Sequence, residues 1–214
     1  MSFEITVNTK KYLLHQARRA IYSALQCEFP EKTFEYSQQE VEMQVGAFVT
    51  LHKRVANHNH WHLSDAKTER QTTAKKHINS QEKKGELRGC IGRLTGDEAL
   101  VNTVIKMAKS AAFHDPRFSP VTKEELDNIH LEITVLSPML PVNPQDVEVG
   151  KDGLFMEFMG RHGVLLPQVP VEYGWNRTEF LNHLCLKAGL PADTWENYKI
   201  SLYKFHGIIF GEDD

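Results

Sequence analysis

Leu87-Arg88-Gly89-Cys90-Ile91-Gly92 lies on a run, Glu86–Ile91, whose β-strand reading decides how the surrounding elements assemble. Alternate residues of a strand share a face, so Arg88 and Cys90 are expected on one side, with Leu87 and Ile91 packing inward on the other. A guanidinium roughly 7 Å from the thiol along the strand would favour the thiolate. Gly89 and Gly92 mark a bulge, or a place where another group approaches the backbone. The string therefore reads as an anion-binding or nucleophilic surface. The alternative is a small buried cysteine beside a structural arginine.

Working outward, Gly46–His52 is β-branched and aromatic and is expected to be the neighbouring strand. Between the two lies 53–85, which has few large apolar residues and no sustained period. It carries eight Lys/Arg against three Asp/Glu, a balance of +5, which leaves −8 on the rest of a chain whose total is −3. Such a stretch is expected to be a mobile, basic, polar insertion joining two strands. Lys10–Gln26 repeats apolar residues at three- and four-residue steps (Leu13, Ala17, Ile21, Ala24) and predicts an amphipathic helix. Thr95-Gly-Asp-Glu98 has capping-box spacing ahead of a second helix bearing Leu100, Val104 and Ala108, and Thr122–Glu125 repeats the signal. His130–Leu136 alternates as a half-buried strand should.

Prolines and glycines from Ser137 to Asp152 predict a loop. Gly153–Phe158 and Gly163–Leu166 read as strands of a further sheet. Asn176 is a good N-cap with Glu179 three residues on, and Gly189 and Pro191 end the helix carrying Phe180, Leu181, Leu184 and Cys185. Ile200–Phe210 predicts one or two closing strands. This irregular mixture, without a phosphate-binding glycine fingerprint, predicts an α+β fold: an antiparallel or mixed sheet flanked by helices.

Composition limits the function classes. The chain has 214 residues, 41% hydrophobic and 25% charged, which is ordinary for a globular protein. A net charge of −3 gives no whole-molecule case for nucleic acid or an anionic membrane. There is no apolar run long enough to span a bilayer, and Met1–Val7 lacks the basic start and apolar stretch of a signal peptide. Cys27, Cys90 and Cys185 are odd in number and widely spaced, which suits free thiols in a reducing cytoplasm. A cytoplasmic protein is expected.

Three further clusters carry chemistry-bearing residues. Asp115-Pro116-Arg117 reads as a turn just past a helix end, with Asp115 and Arg117 free to clamp it. His114 beside it is a candidate base toward Cys90. His52, His58, His60 and His62 could share one face of an extended segment and bind a transition metal, but a polar loop lacks a rigid supporting shell, so no metal site is expected. Gln168 and Trp175 either line a pocket or belong to a packed strand and helix entry. Cys185 sits in its helix's apolar stripe and reads as core.

Together these strings resemble the AMMECR domain family. The matching stretches are Phe48–Leu51, Leu87–Gly92, Ala111–Phe118, Glu124–Leu126, Leu165–Val169, Gly174-Trp175 and Lys187–Leu190, in family order from about Lys10 to Phe210. The resemblance implies a single α+β domain, 1–214, of two unequal interleaved lobes, with Leu87–Gly92 beside a cleft between them. It further implies association with Memo-like and radical S-adenosylmethionine proteins, without fixing a substrate. The insertion departs from the family pattern, so its histidines are not inherited from it, and His114 falls at a variable position.

The expected function is a cleft-based binding or adaptor module taking a small ligand or a peptide. The alternative is an enzyme acting on a small anionic substrate, with Cys90 as nucleophile or redox group and Arg88 as anion clamp. Leu87, Gly89, Ile91, Gly92, Asp115, Arg117, Gln168 and Trp175 would surround that site. No cofactor is expected, nor nucleic acid as a partner.

Overall fold

The computed structural model describes residues 3–54 and 85–214. The basic insertion, with His58, His60 and His62, lies outside the described residues apart from its ends. Among the described residues the strands form two antiparallel four-stranded sheets.

The first sheet contains β1 (Val45–Lys53), β2 (Glu86–Thr95), β3 (Ile129–Leu136) and β8 (Gly207–Gly211), in the order β2-β1-β3-β8. One face is covered by α1 (Val7–Ala24) and α3 (Leu100–Phe113), and α2 (Gln38–Val41) packs against both helices. The core beneath is built from the periodicities of the sequence. Leu13, Ala17 and Ile21 of α1 meet Val104, Ala108 and Ala111 of α3, over Val49, Leu51, Leu131 and Ile133 of the sheet. The alternation of His130–Leu136 is realised, with Leu131, Ile133 and Val135 fully buried.

The second sheet contains β4 (Leu140–Pro141), β5 (Gly153–Phe158), β6 (Arg161–Leu165) and β7 (Ser201–Phe205), in the order β4-β7-β5-β6. α5 (Arg177–Lys187) packs on it through Phe180, Leu181, Leu184 and Cys185, and α6 (Thr194–Asn197) follows. Burial pushes the Cys185 thiol above its ordinary range, in keeping with a core residue. The predicted cap is present: Asn176 Oδ1 accepts from Glu179 N–H at 3.0 Å, and the Glu179 carboxylate accepts from Asn176 N–H at 2.8 Å. Gly189 takes the left-handed conformation that ends the helix, with φ +70°.

Two expectations are corrected here. Thr95–Glu98 does not cap α3. β2 runs through Thr95, Ala99 precedes the helix without a side-chain cap, and Leu100 N–H donates to Met43 O at 2.9 Å instead. Tertiary contact with the segment before β1 replaces the local cap. The strand expected at Gly163–Leu166 is found at Arg161–Leu165, starting two residues earlier and ending one earlier, ahead of Pro167 and α4 (Gln168–Tyr173), which Gly174 closes at φ +67°.

Candidate functional site

β2 is an edge strand, and the reading of its motif changes with its register. Gly89 lies opposite Leu51 and Leu87 opposite His52, so Arg88 is an extra residue in a β-bulge. A bulge inverts the alternation on its far side. Leu87, expected inward, is therefore 37% exposed and shares the outer face with Cys90, while Arg88, expected outward beside the thiol, is buried. Ile91 does pack inward, against the first core.

Arg88 is fully engaged where the bulge sends it. Its Nε and Nη2 meet Glu125 Oε1 and Oε2 at 2.8 and 3.0 Å, and Nη1 donates to Ser119 O at 2.9 Å. The fork holds the 3₁₀ turn Lys123–Asn128 against the sheet. Glu125 also accepts from Thr122 N–H at 3.0 Å, so the residue that caps the turn is the one that neutralises Arg88. The Arg88 guanidinium beside Glu125 holds that carboxyl below its ordinary range. Arg88 is thus a structural clamp and not an anion clamp.

The two glycines have separate causes. A Cβ on Gly89 would stand 2.2 Å from Ala111 O, because α3 crosses β2 there. A Cβ on Gly92 would meet the Phe48 ring at 2.2 Å, because that ring lies over the glycine on the outer face.

Cys90 has partners on three sides. Thr50, its neighbour across β1, donates Oγ1–H to the sulfur at 3.2 Å, and Glu132 continues the row on β3. On the open edge of β2 the Cys90 backbone meets the ion pair of the turn after α3. Its N–H donates to Asp115 Oδ2 at 2.9 Å, and its carbonyl accepts from Arg117 Nη2 at 3.2 Å. Asp115 and Arg117 thereby take the place of a neighbouring strand for one residue, which blunts the edge. Arg117 also donates to Asp115 through Nε and Nη2 at 3.0 and 2.8 Å.

The Asp115 side chain is almost wholly buried, whereas that of Arg117 is 55% exposed. Arg117's hydrogen bonds first, and the N–H groups of Cys90 and Arg117 after them, hold the Asp115 carboxyl far below its ordinary range against the opposing effect of burial. The expected turn clamp is present, and it brings a cation to the Cys90 strand from 27 residues away. His114 is exposed at the C-terminal end of α3 and forms no part of this network.

The second cluster lies between the first sheet and α4. A cavity of about 880 Å³ has Thr134, Leu136 and Ile209 of the first sheet on one wall, with Lys151, Gln168 and Val171 on the other. Gln168, the first residue of α4, lines it as the sequence suggested; Trp175 does not. Trp175 stacks on His183 at 3.8 Å and on Tyr173 at 4.9 Å, and packs against the second core. None of Leu87–Gly92 is among the described residues lining this cavity. Thr134 is two residues along β3 from Glu132, so the cavity rim and the Cys90 row are neighbours on one sheet face.

Sequence reading missed Glu125 as the partner of Arg88, Thr50 as the partner of the Cys90 sulfur, and His206 on the cavity wall. Only the Thr122–Glu125 capping signal hinted at any of them.

Two packed α+β lobes carrying a motif-bearing edge strand define a class that the comparisons identify. A family model described as AMMECR1 matches residues 14–210, and the chain belongs to that family. A protein of Methanocaldococcus jannaschii is 48% identical over 134 residues, covering 59% of this chain and 67% of its own length. One from Methanothermobacter thermautotrophicus is 46% identical over 139 residues, covering 62% of this chain and 72% of its own. The crystal structure of an uncharacterized protein from Pyrococcus horikoshii matches with a TM-score of 0.71 at 36% identity, covering 99% of this chain and 95% of that one. Among the described residues no helix is long and apolar enough to cross a membrane.

Proposed function

We propose that this chain is a cytoplasmic binding module whose inter-lobe cavity receives a small ligand, working alongside Memo-like and radical S-adenosylmethionine proteins. The observation that carries the reading is the cavity between the first sheet and α4, about 880 Å³ in volume. That size suits a small molecule, and apolar walls carrying a few polar groups are what such sites use for affinity and orientation. The family resemblance supports the partners by association alone. Native purification followed by mass spectrometry of retained molecules, with co-purification against a Memo-like and a radical S-adenosylmethionine protein, tests both halves. A chain that retains no ligand and captures neither partner sinks the reading.

A second reading, an enzyme for a small anionic substrate, is favoured by the half-exposed guanidinium of Arg117 on the Cys90 carbonyl. Here Cys90 is the nucleophile or redox group, and Arg117 takes the anion-binding role first assigned to Arg88. Thiol labelling near neutral pH decides it. A Cys90 that labels no faster than a model thiol, with Cys90→Ser leaving function intact, removes the reading.

A further inference from the structure

The chain passes from the first sheet to the second after Leu136 and returns at His206, the single residue between β7 and β8. The two crossings are bonded to each other: Ser137 N–H donates to His206 O at 2.8 Å, and His206 N–H donates to Ser137 Oγ at 2.9 Å. The imidazole turns toward the second lobe, with Nε2 3.0 Å from Asp152 Oδ1. Asp152 is only 1% exposed. Its other oxygen accepts from Glu148 N–H at 2.8 Å and faces Lys204 Nζ at 3.5 Å.

A carboxylate only accepts hydrogen bonds, so Nε2 carries the proton of that bond, and when the ring holds a single proton the lone pair is on Nδ1. The ring is 58% exposed and lines the inter-lobe cavity with Thr134 and Gln168. Glu148 N–H and Lys204 both meet Oδ2, so His206 is the partner that satisfies Oδ1, and the bond fixes the ring on the cavity wall. The same cavity leaves apolar surface uncovered, with Val171 61% and Ile209 48% exposed.

We infer that His206, held by Asp152, is the hydrogen-bond acceptor that orients the cavity's ligand. That ligand is a small amphipathic molecule with an O–H or N–H donor for Nδ1 and an apolar body against Val171 and Ile209. This rests on the binding reading above and deepens it. Since His206 lies on the crossing, a ligand bonded to it touches both lobes at once.

Two probes of matched shape test the assignment: p-cresol, which has the donor, and 4-methylanisole, which lacks it. Each is titrated into the full chain at pH 8 while the His206 ring nitrogens and the methyl groups of Leu136, Val171 and Ile209 are followed by NMR. The expected result is that p-cresol moves the Nδ1 resonance and binds at least about threefold more tightly, the worth of one neutral hydrogen bond. His206→Gln, which can still bond Asp152, should abolish that preference while the methyl spectrum stays folded. The wild-type Nδ1 shift decides the matter even if the variant fails to fold. Equal affinity of the two probes, or a preference that survives in His206→Gln, overturns the assignment and leaves the cavity reading standing. Cavity methyls that respond to neither probe overturn both.

Discussion

Arg88 and Arg117 each meet a carboxylate beside β2, yet the side chain of Arg88 is 6% exposed and that of Arg117 is 55% exposed. The first pair is an interior clamp joining an edge strand to a 3₁₀ turn. The second is an edge clamp, with its acid buried and its base open to solvent. Burial decides what each can do. A guanidinium enclosed by Glu125 and the Ser119 and Pro120 carbonyls commits four of its five N–H groups inside the fold, whereas Arg117 keeps much of its surface in water while touching the Cys90 backbone. Nearness in sequence to the thiol selected the arginine that is buried rather than the one that is half in water.

The difference is open to attack at four points. Arg88→Ala should have the largest effect, destabilising by about 3–5 kcal/mol, because it strands Glu125 and two carbonyls. Arg88→Lys should recover only part of this, since an ammonium cannot reproduce the fork. Denaturant midpoints measure both, and a near-neutral Arg88→Ala would contradict the interior clamp. Gly89→Ala should cost about 1–3 kcal/mol through forced displacement of α3 from β2, again read from the denaturation midpoint.

Asp115→Asn should cost on the order of 1–3 kcal/mol at neutral pH, the usual worth of hydrogen bonds to a charged group. Its pH dependence has a definite sign. A folded-state pKa held below the unfolded value of about 3.9 contributes stability that is complete above that value and is lost as pH falls through the folded one. The gap between wild type and Asp115→Asn should therefore be constant from pH 5 to 7, at most a few tenths of a kcal/mol different across that range, and should shrink on acidification below about pH 4. A gap that grows in acid would contradict the burial and pairing described for Asp115. Arg117→Ala should have the smallest effect, about 1 kcal/mol, since its partner retains backbone donors and the removed group is half in water. If Arg117→Ala proves as damaging as Arg88→Ala, the distinction between the clamps fails.

Much of the fold was legible because it rests on local periodicity. The alternation of His130–Leu136, the helical stripe of Phe180–Cys185, the cap at Asn176 and the stop at Gly189 all reappear, each set by contacts within a few residues. The site was legible only in part. The strand through Leu87–Gly92 and the turn clamp of Asp115 and Arg117 could be read, because a glycine-flanked strand and an Asp-Pro-Arg turn have local signatures. The orientation of Leu87 and Arg88 could not. A bulge was one of the two readings of Gly89, but the glycine does not say which neighbour is the extra residue, and that one residue of register exchanges the faces of every residue beyond it. The role of Trp175 was equally hidden, since stacking on His183 depends on how the α4–α5 corner folds.

The sequence by itself determined the class of the fold, the family and the strand on which attention belongs, because hydrophobic period and turn chemistry are properties of neighbours along the chain. Tertiary structure alone decided which arginine stands half-exposed beside Cys90, why Gly89 and Gly92 carry no side chain, and that His206, on the wall of a cavity, meets the buried Asp152 from 54 residues away. Those outcomes depend on where one element crosses another, and packing sets that without leaving a pattern in the letters.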